Sequence, residues 1–311
     1  MYLRPSAPGS AACGLASTAV APLVKGAVRA ARVVGVATRA AYLQVGLPDG
    51  ALVALVTQDA VRVPNAVVIF PRCGQAPFAA VRPPMVATMG GGRIRVGQLQ
   101  VAVAGTWAPG QPRFTQRARA CTRAGELAGL IASTVPALPR YLSAPVSRFA
   151  DALAPADADI VAVEHAVLGL LGLGPGLTPS GDDIIAGALV TLRAIAGASP
   201  ALAVRADTVA QTVVSSAPGR TSLVSADLLG HAAAGRCVPQ LAALLAALDR
   251  GGSLDAPLCA LLSVGHSSGG DLARGVSIAL TAARAVRCRP HEEPSSPLVS
   301  TRLETQWSTC S

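Results

Sequence analysis

The chain has a single lysine, Lys25, among its 26 basic residues, and only 3% of its residues are aromatic. Rings that scarce cannot form the successive stacking platforms of a single-strand nucleic-acid binder. The net charge of +9 is therefore carried by arginine. Those arginines are scattered rather than gathered into a stripe, so the electrostatic footprint of a nucleic-acid protein is missing. Small anions or an acidic protein partner suit such a charge as well. The seven cysteines, at 13, 73, 121, 237, 259, 288 and 310, are odd in number and far apart. Without a C-x-x-C pair or a His/Cys ligand spacing, neither a disulfide framework nor a structural zinc site is indicated, and a reducing cytoplasm is the expected location. Long apolar runs are also lacking. Residues 11–24 hint at a signal-peptide core, but Pro22 interrupts them and no cleavage pattern precedes Lys25. No other run reaches membrane-spanning length without Gly, Pro or charge. No fixed-period repeat is apparent.

What is present is aliphatic. At 311 residues and 51% hydrophobic, the chain can bury cores of Ala, Val and Leu large enough for two subdomains. Short β-branched runs fill the first third: Val33-Val34-Gly35-Val36, residues 51–56, and Val67-Val68-Ile69-Phe70. Leu47-Pro48-Asp49-Gly50 is a turn, because proline presets one φ and glycine supplies another. Gly90-Gly91-Gly92 breaks the chain before residues 93–103, whose alternation reads as one half-buried strand. Helical spacing begins near Thr115, and 136–155 reads as a proline-punctuated connector. Helices are then expected over 160–171, capped by Asp157 or Asp159, and over 184–196, 201–214, 222–234, 239–248, 257–262 and 271–287. The fold class is α+β, with a β-rich N-terminal subdomain followed by a mostly α-helical one. The expected divisions are an N-terminal extension (1–25), the β-rich subdomain (26–135), the helical subdomain (156–287) and a disordered tail (288–311) rich in Ser, Pro and charge.

Chemistry concentrates in three loops, each placed just before an expected helix. The first is Gly172-Leu-Gly174-Pro-Gly176-Leu-Thr178-Pro179-Ser180-Gly181-Asp182-Asp183. Its glycines and prolines leave the backbone few shapes, and Ser180 with Asp183 has the spacing of a capping box. The second runs from Ser215 through Arg220-Thr221-Ser222 to Ser225, and the third is Gly265-His266-Ser267-Ser268-Gly269-Gly270-Asp271. Helix N-termini favour anions through their unpaired N–H groups and dipole, so three converging starts would make a polar pocket in apolar surroundings. The anion- or substrate-binding candidates are Gly174, Gly176, Thr178, Ser180, Gly181, Arg220, Thr221, Ser225, Ser267, Ser268 and Asp271. Arg220 is the bidentate clamp among them. Asp182, Asp183 and His266 are the catalytic candidates, His266 because imidazole titrates near neutral pH. Two carboxylates beside an anion repel it unless a cation intervenes, and an oxygen-rich set suits Mg2+ better than zinc. Alternatively one Asp accepts hydrogen bonds from an amide or carbamoyl NH2, which needs no metal. Asp182 reads equally as a first-turn residue complementing the helix dipole. His165 reads as a helix-face residue, and His231 and His291 have no motif around them.

Several familiar arrangements fail. Gly265-x-Ser267-x-Gly269 matches a nucleophile elbow, but no Asp or Glu lies between Leu272 and Pro290 to complete a hydrolase triad. The dinucleotide fingerprint needs a glycine where Leu177 stands, and no Gly-Lys pair exists for a Walker A loop.

The three loops, in this order and spacing, resemble a bacterial family formerly grouped as a domain of unknown function and associated with the H-type (AllH) subunit of oxamate carbamoyltransferase. The residues that carry the likeness are 172–183, then Arg220-Thr-Ser-Leu-Val-Ser225, then Val264-Gly-His-Ser-Ser-Gly-Gly-Asp271. The resemblance extends over roughly residues 26–286. It implies reversible carbamoyl transfer, oxalurate and phosphate giving oxamate and carbamoyl phosphate, in the breakdown of allantoin and purine nitrogen. It also implies partner subunits of the carbamoyltransferase, a small anionic substrate, and phosphate or carbamoyl phosphate as ligands. Two alternatives remain open: a noncatalytic ligand-binding or scaffold subunit of such a complex, and a metal-dependent hydrolase of another carbamoyl or amide compound.

Overall fold

The computed structural model describes residues 11–46, 50–71, 76–155 and 159–287. The expected turn at Leu47-Pro48-Asp49, the tail from 288, His291, and Cys73, Cys288 and Cys310 lie outside them. Eight strands form a closed barrel: β1 (Ala12–Ser17), β2 (Arg29–Ala37), β3 (Ala40–Val45), β4 (Ala51–Thr57), β5 (Ala66–Phe70), β6 (Val86–Gly90), β7 (Arg93–Val96) and β8 (Leu99–Trp107). Around the barrel the order is β1-β5-β4-β3-β2-β6-β7-β8, and β1 closes it by running parallel to β8. Eight strands leave an interior that side chains alone can fill. Leu43, Leu55, Ile69, Met89 and Ile94 fill it here.

Three expectations change at this point. Residues 12–17 are the closing strand of the barrel and not part of an extension, because Cys13, Leu15 and their neighbours pair on one side with β5 and on the other with β8. The alternation over 93–103 belongs to a hairpin, turned between Val96 and Leu99 at Gly97. The connector holds a helix of its own, α4. Its Pro145 lies inside the helix, and Leu142, Phe149 and Leu153 are buried from one face.

The helices are α1 (Ala21–Lys25), α2 (Arg117–Thr122), α3 (Ala124–Thr134), α4 (Arg140–Leu153), α5 (Ile160–Leu170), α6 (Ser180–Ile195), α7 (Pro200–Ser216), α8 (Leu223–Ala233), α9 (Pro239–Arg250), α10 (Asp255–Leu262) and α11 (Ser268–Arg287). Asp159 caps α5, its carboxylate accepting from Val161 N at 2.9 Å. Asp249 fixes the chain entering α2, accepting Thr115 N at 2.9 Å and Gln116 N at 2.5 Å.

α6 is the axle of the helical part, buried along nearly its whole length. It crosses α11 closely enough that backbones touch. A β-carbon on Gly187 would run into the Leu272 carbonyl, and one on Gly275 into the Ile184 carbonyl. Only glycine permits such an approach.

The barrel meets the helices along β4. Leu52 to Val56 are all buried, so this strand reads as an unbroken apolar run and not as an alternation. Asp227 on α8 fixes the contact. Its carboxylate accepts Leu52 N at 3.1 Å and Asn65 Nδ2 at 2.8 Å.

Candidate functional site

α6 does not start on the expected capping box. Pro179 occupies the N-cap, no side chain caps the helix, and Ser180 is already its first residue. Proline can take this place because its fixed φ suits the entry, and the amides of Asp182 and Asp183 are satisfied by the Pro179 carbonyl at 2.9 and 3.1 Å. The Asp182 side chain is thereby free to turn outward from the helix start. Buried to 1% exposure, it accepts Gly172 N at 2.6 Å, the Ser225 hydroxyl at 2.6 Å and the Thr221 hydroxyl. Its carboxylate is thus the knot between the first and second loops. Ser222 tightens the same joint: it caps α8 by accepting Ser225 N at 3.0 Å and donates to the Leu177 carbonyl. The loop backbones also press together, since a β-carbon on Gly172 would meet the Arg220 carbonyl.

The third loop joins through hydroxyls. Thr178 Oγ1 and Ser268 Oγ are 3.1 Å apart. Asp271, 2% exposed, accepts Arg274 Nη1 at 2.9 Å, and Arg274 also donates to the Pro136 carbonyl. All three loops therefore meet.

Beside their junction lies a cavity of about 270 Å³. Tyr42, Val61, Val63 and Pro64 form the wall on the barrel side. Leu177, Thr178, Asp183, Ala186 and Val190 come from the first loop and α6. Val224, Leu228, Arg236, Gly265 and Ser268 come from α8, its exit and the third loop. The lining is largely apolar, with a few converging polar groups, as small-molecule sites are.

Asp183 is the unusual member. It is 8% exposed, and its Oδ2 has no hydrogen-bond partner. Burial pushes its carboxyl up to about 7, the charges of Asp271 and Asp182 push the same way, and the hydroxyls of Ser268 and Thr178 oppose them. A buried carboxyl without a full set of partners is costly to the fold. Perturbed groups of this kind collect in functional clefts. Arg236 brings a guanidinium to the same wall, with Nη1 3.4 Å from His231 Nδ1. Burial raises the Tyr42 hydroxyl above its ordinary range and pushes the Cys237 thiol up to about 12. A thiol held that high is inert as a nucleophile.

The other sequence candidates divide. Thr178 and Ser268 line the cavity, whereas Thr221 and Ser225 are engaged by Asp182 and Asp271 by Arg274. The Gly181 amide is spent on the Leu173 carbonyl at 2.9 Å, so that part of the expected anion cradle is already occupied. Gly174 lies against Ser180 N, and Gly176 stands open to solvent. Ser180 is half-buried outside the lining. Arg220, His266 and Ser267 are exposed and also outside it. Arg236, Tyr42 and Ala186 were invisible to motif reading. Arg236 sits in Ala234-Gly235-Arg236-Cys237, which has no motif, and Tyr42 comes from a strand far away in sequence. Among the described residues no group of three or more His, Cys, Asp or Glu is placed to hold a metal ion. Nor is any helix among them long and apolar enough to cross a membrane.

Residues 170–280 match the family model described as oxamate carbamoyltransferase subunit AllH. That window holds all three loops, Asp183, Ala186 and Arg236, while the barrel falls outside it. No curated protein and no solved structure matches the chain.

Proposed function

We propose that this chain is a carbamoyltransferase subunit of the oxamate type, and that the cavity beside Asp183 seats a small carbamoyl-bearing acid. One observation carries the reading: a buried carboxyl, one of whose oxygens has no hydrogen-bond partner, lines a cavity inside the segment that matches the family. Arg236 is suited to the anionic end of the ligand, since a guanidinium pairs with a carboxylate or phosphate through charge-assisted hydrogen bonds. Asp183 is suited to the other end, where nitrogen is carried.

In the phosphorolysis of oxalurate, a phosphate oxygen bonds to the ureido carbon and the bond from that carbon to the inner nitrogen breaks. The leaving nitrogen takes a proton and departs as the amide of oxamate; the other product is carbamoyl phosphate. Asp183 in its protonated form can deliver that proton, because an acid with a pKa close to the working pH serves general catalysis best. Thr178 and Ser268 hold the carboxyl from one side and orient it.

The experiment is carbamoyl phosphate formation from oxalurate by the reconstituted complex. Asp183→Asn should lower turnover by about 10²-fold or more, the usual worth of a positioned acid. Arg236→Met should instead raise KM. Full activity in both variants would remove these roles.

A second reading is favoured by the rim. Leu177 and Leu223 are about half exposed, at 50% and 52%, and Arg220 and His266 stand exposed on the neighbouring loops. These residues fit a seat for a partner subunit that completes the site. Thermal stabilisation of the isolated chain by oxalurate supports the first reading. Stabilisation only after partner subunits are added supports the second.

A further inference from the structure

The first and third loops open onto helices with the same pattern: Ser180-Gly-Asp-Asp183-Ile-Ile-Ala186-Gly187 and Ser268-Gly-Gly-Asp271-Leu-Ala-Arg274-Gly275. Their surroundings match as well. The Gly181 amide bonds to the Leu173 carbonyl and the Gly269 amide to the Val264 carbonyl, both at 2.9 Å. Gly181 abuts the Leu170 carbonyl at the end of α5, as Gly269 abuts the Leu261 carbonyl at the end of α10. The contacts of Gly187 with Leu272 and of Gly275 with Ile184 are reciprocal under the same correspondence. Reciprocity of this kind is the mark of two equivalent halves packed about a two-fold, here within one chain.

Within this correspondence Asp183 and Asp271 are equivalent, and so are Ala186 and Arg274. Asp271 has its counter-ion: Arg274, one turn along the helix, donates to its Oδ1 at 2.9 Å. Asp183 has a methyl group at that position and a cavity instead of a guanidinium. Both carboxyls keep an Oδ2 without a hydrogen-bond partner, but the half-site with arginine carries its own cation, whereas the half-site with alanine borders the cavity.

We infer that the ligand group meeting Asp183 is a planar N–H donor with the shape of a guanidinium, such as a ureido or amidino end. It takes the place that the Arg274 head occupies beside Asp271, and Ala186 is the specificity-determining residue that keeps this place vacant. The inference rests on the preceding reading only in taking the same cavity as the ligand site; it does not need the transfer reaction.

The test is calorimetric titration of the full chain with oxalurate, with oxalurate dimethylated on its terminal nitrogen, and with guanidinoacetate. At least one probe with free terminal N–H groups should bind. Dimethylation should weaken oxalurate about tenfold or more, the cost of leaving a buried acceptor without its donor. Ala186→Arg should abolish binding of every probe and raise the melting temperature at pH 8, and this thermal gain should vanish when Asp183→Asn is added. Guanidinoacetate binding where oxalurate does not would support the inference while counting against the oxamate reading. So would oxalurate binding in a reconstituted complex that makes no carbamoyl phosphate. Undiminished binding of the dimethylated probe, undiminished binding by Ala186→Arg, or no binding by any probe with free N–H groups would each overturn it. The probe series uses the unaltered chain, so the result does not depend on the variant folding.

Discussion

Two adjacent aspartates with the same chemistry are given opposite work by their surroundings. Asp182 is surrounded by donors and Asp183 by a cavity. For Asp183 the folded pKa lies near 7, against an ordinary value of 3.8. The folded chain therefore holds this proton more tightly than the unfolded one. Its contribution to stability is complete below the lower value and is lost as pH climbs through the higher one. Asp183→Asn removes the titration, so the stability of the variant relative to the parent should rise between pH 5 and 8, by at most about 1.4 kcal/mol per pH unit. Urea unfolding at the two pH values measures it; a constant difference would mean the carboxyl titrates normally. Asp182→Asn should behave otherwise. An amide nitrogen turned toward either the Gly172 amide or the Ser225 and Thr221 hydroxyls strands at least one donor, at a cost of about 1–3 kcal/mol at neutral pH. If that variant keeps full stability, the carboxylate does not tie the loops.

At the scale of elements, most helices were legible because apolar spacing and starts at Ser, Asp or Pro coincide over α5 to α11. Those starts did not reveal which residue caps. Ser180 has the composition of a cap, yet Pro179 takes the position and its carbonyl satisfies the Asp182 and Asp183 amides, which leaves the Asp182 side chain to the second loop. α4 was hidden by its prolines, which read as a connector until Leu142, Phe149 and Leu153 are seen buried on one face. The glycines of α6 and α11 were legible as composition but not as contact, since their meaning lies in the facing carbonyls. This contact predicts opposite outcomes for one substitution. Gly187→Ala or Gly275→Ala should destabilise by about 1–3 kcal/mol or more, as overpacking does. Gly129→Ala, in α3 with open space around it, should stabilise by up to about 1 kcal/mol from helix propensity alone. Combining the first two should cost less than their sum, because one backbone shift relieves both. Equal effects at Gly129 and Gly187 in thermal melts would deny the close crossing.

Across the whole molecule, the α+β order of strands before helices followed from periodicity, but closure of the barrel did not. Closure depends on β1 finding β8 across most of the strand-rich region, a pairing that leaves no local mark beyond a short apolar run. The cavity was hidden for the same reason. Its wall joins Tyr42 and Val63 from the strand-rich part to Asp183 and Arg236 from the helical part, and no motif spans that distance. The joint that holds this wall is Asp227, with Leu52 N and Asn65 Nδ2 on the barrel side and His231 Nε2 at 3.4 Å on its own helix. Asp227→Ala would leave a strand amide and the buried Asn65 side chain without their acceptor, which costs about 1–3 kcal/mol for each such group. It touches no residue assigned to ligand. If the barrel is part of the site, this variant should lose affinity for oxalurate as well as stability, and amide exchange at Leu52 should quicken. Asp227→Asn, which can still accept one hydrogen bond, should fall between. Lost stability with unchanged affinity would show instead that the helical part makes the site by itself and that the barrel serves another purpose.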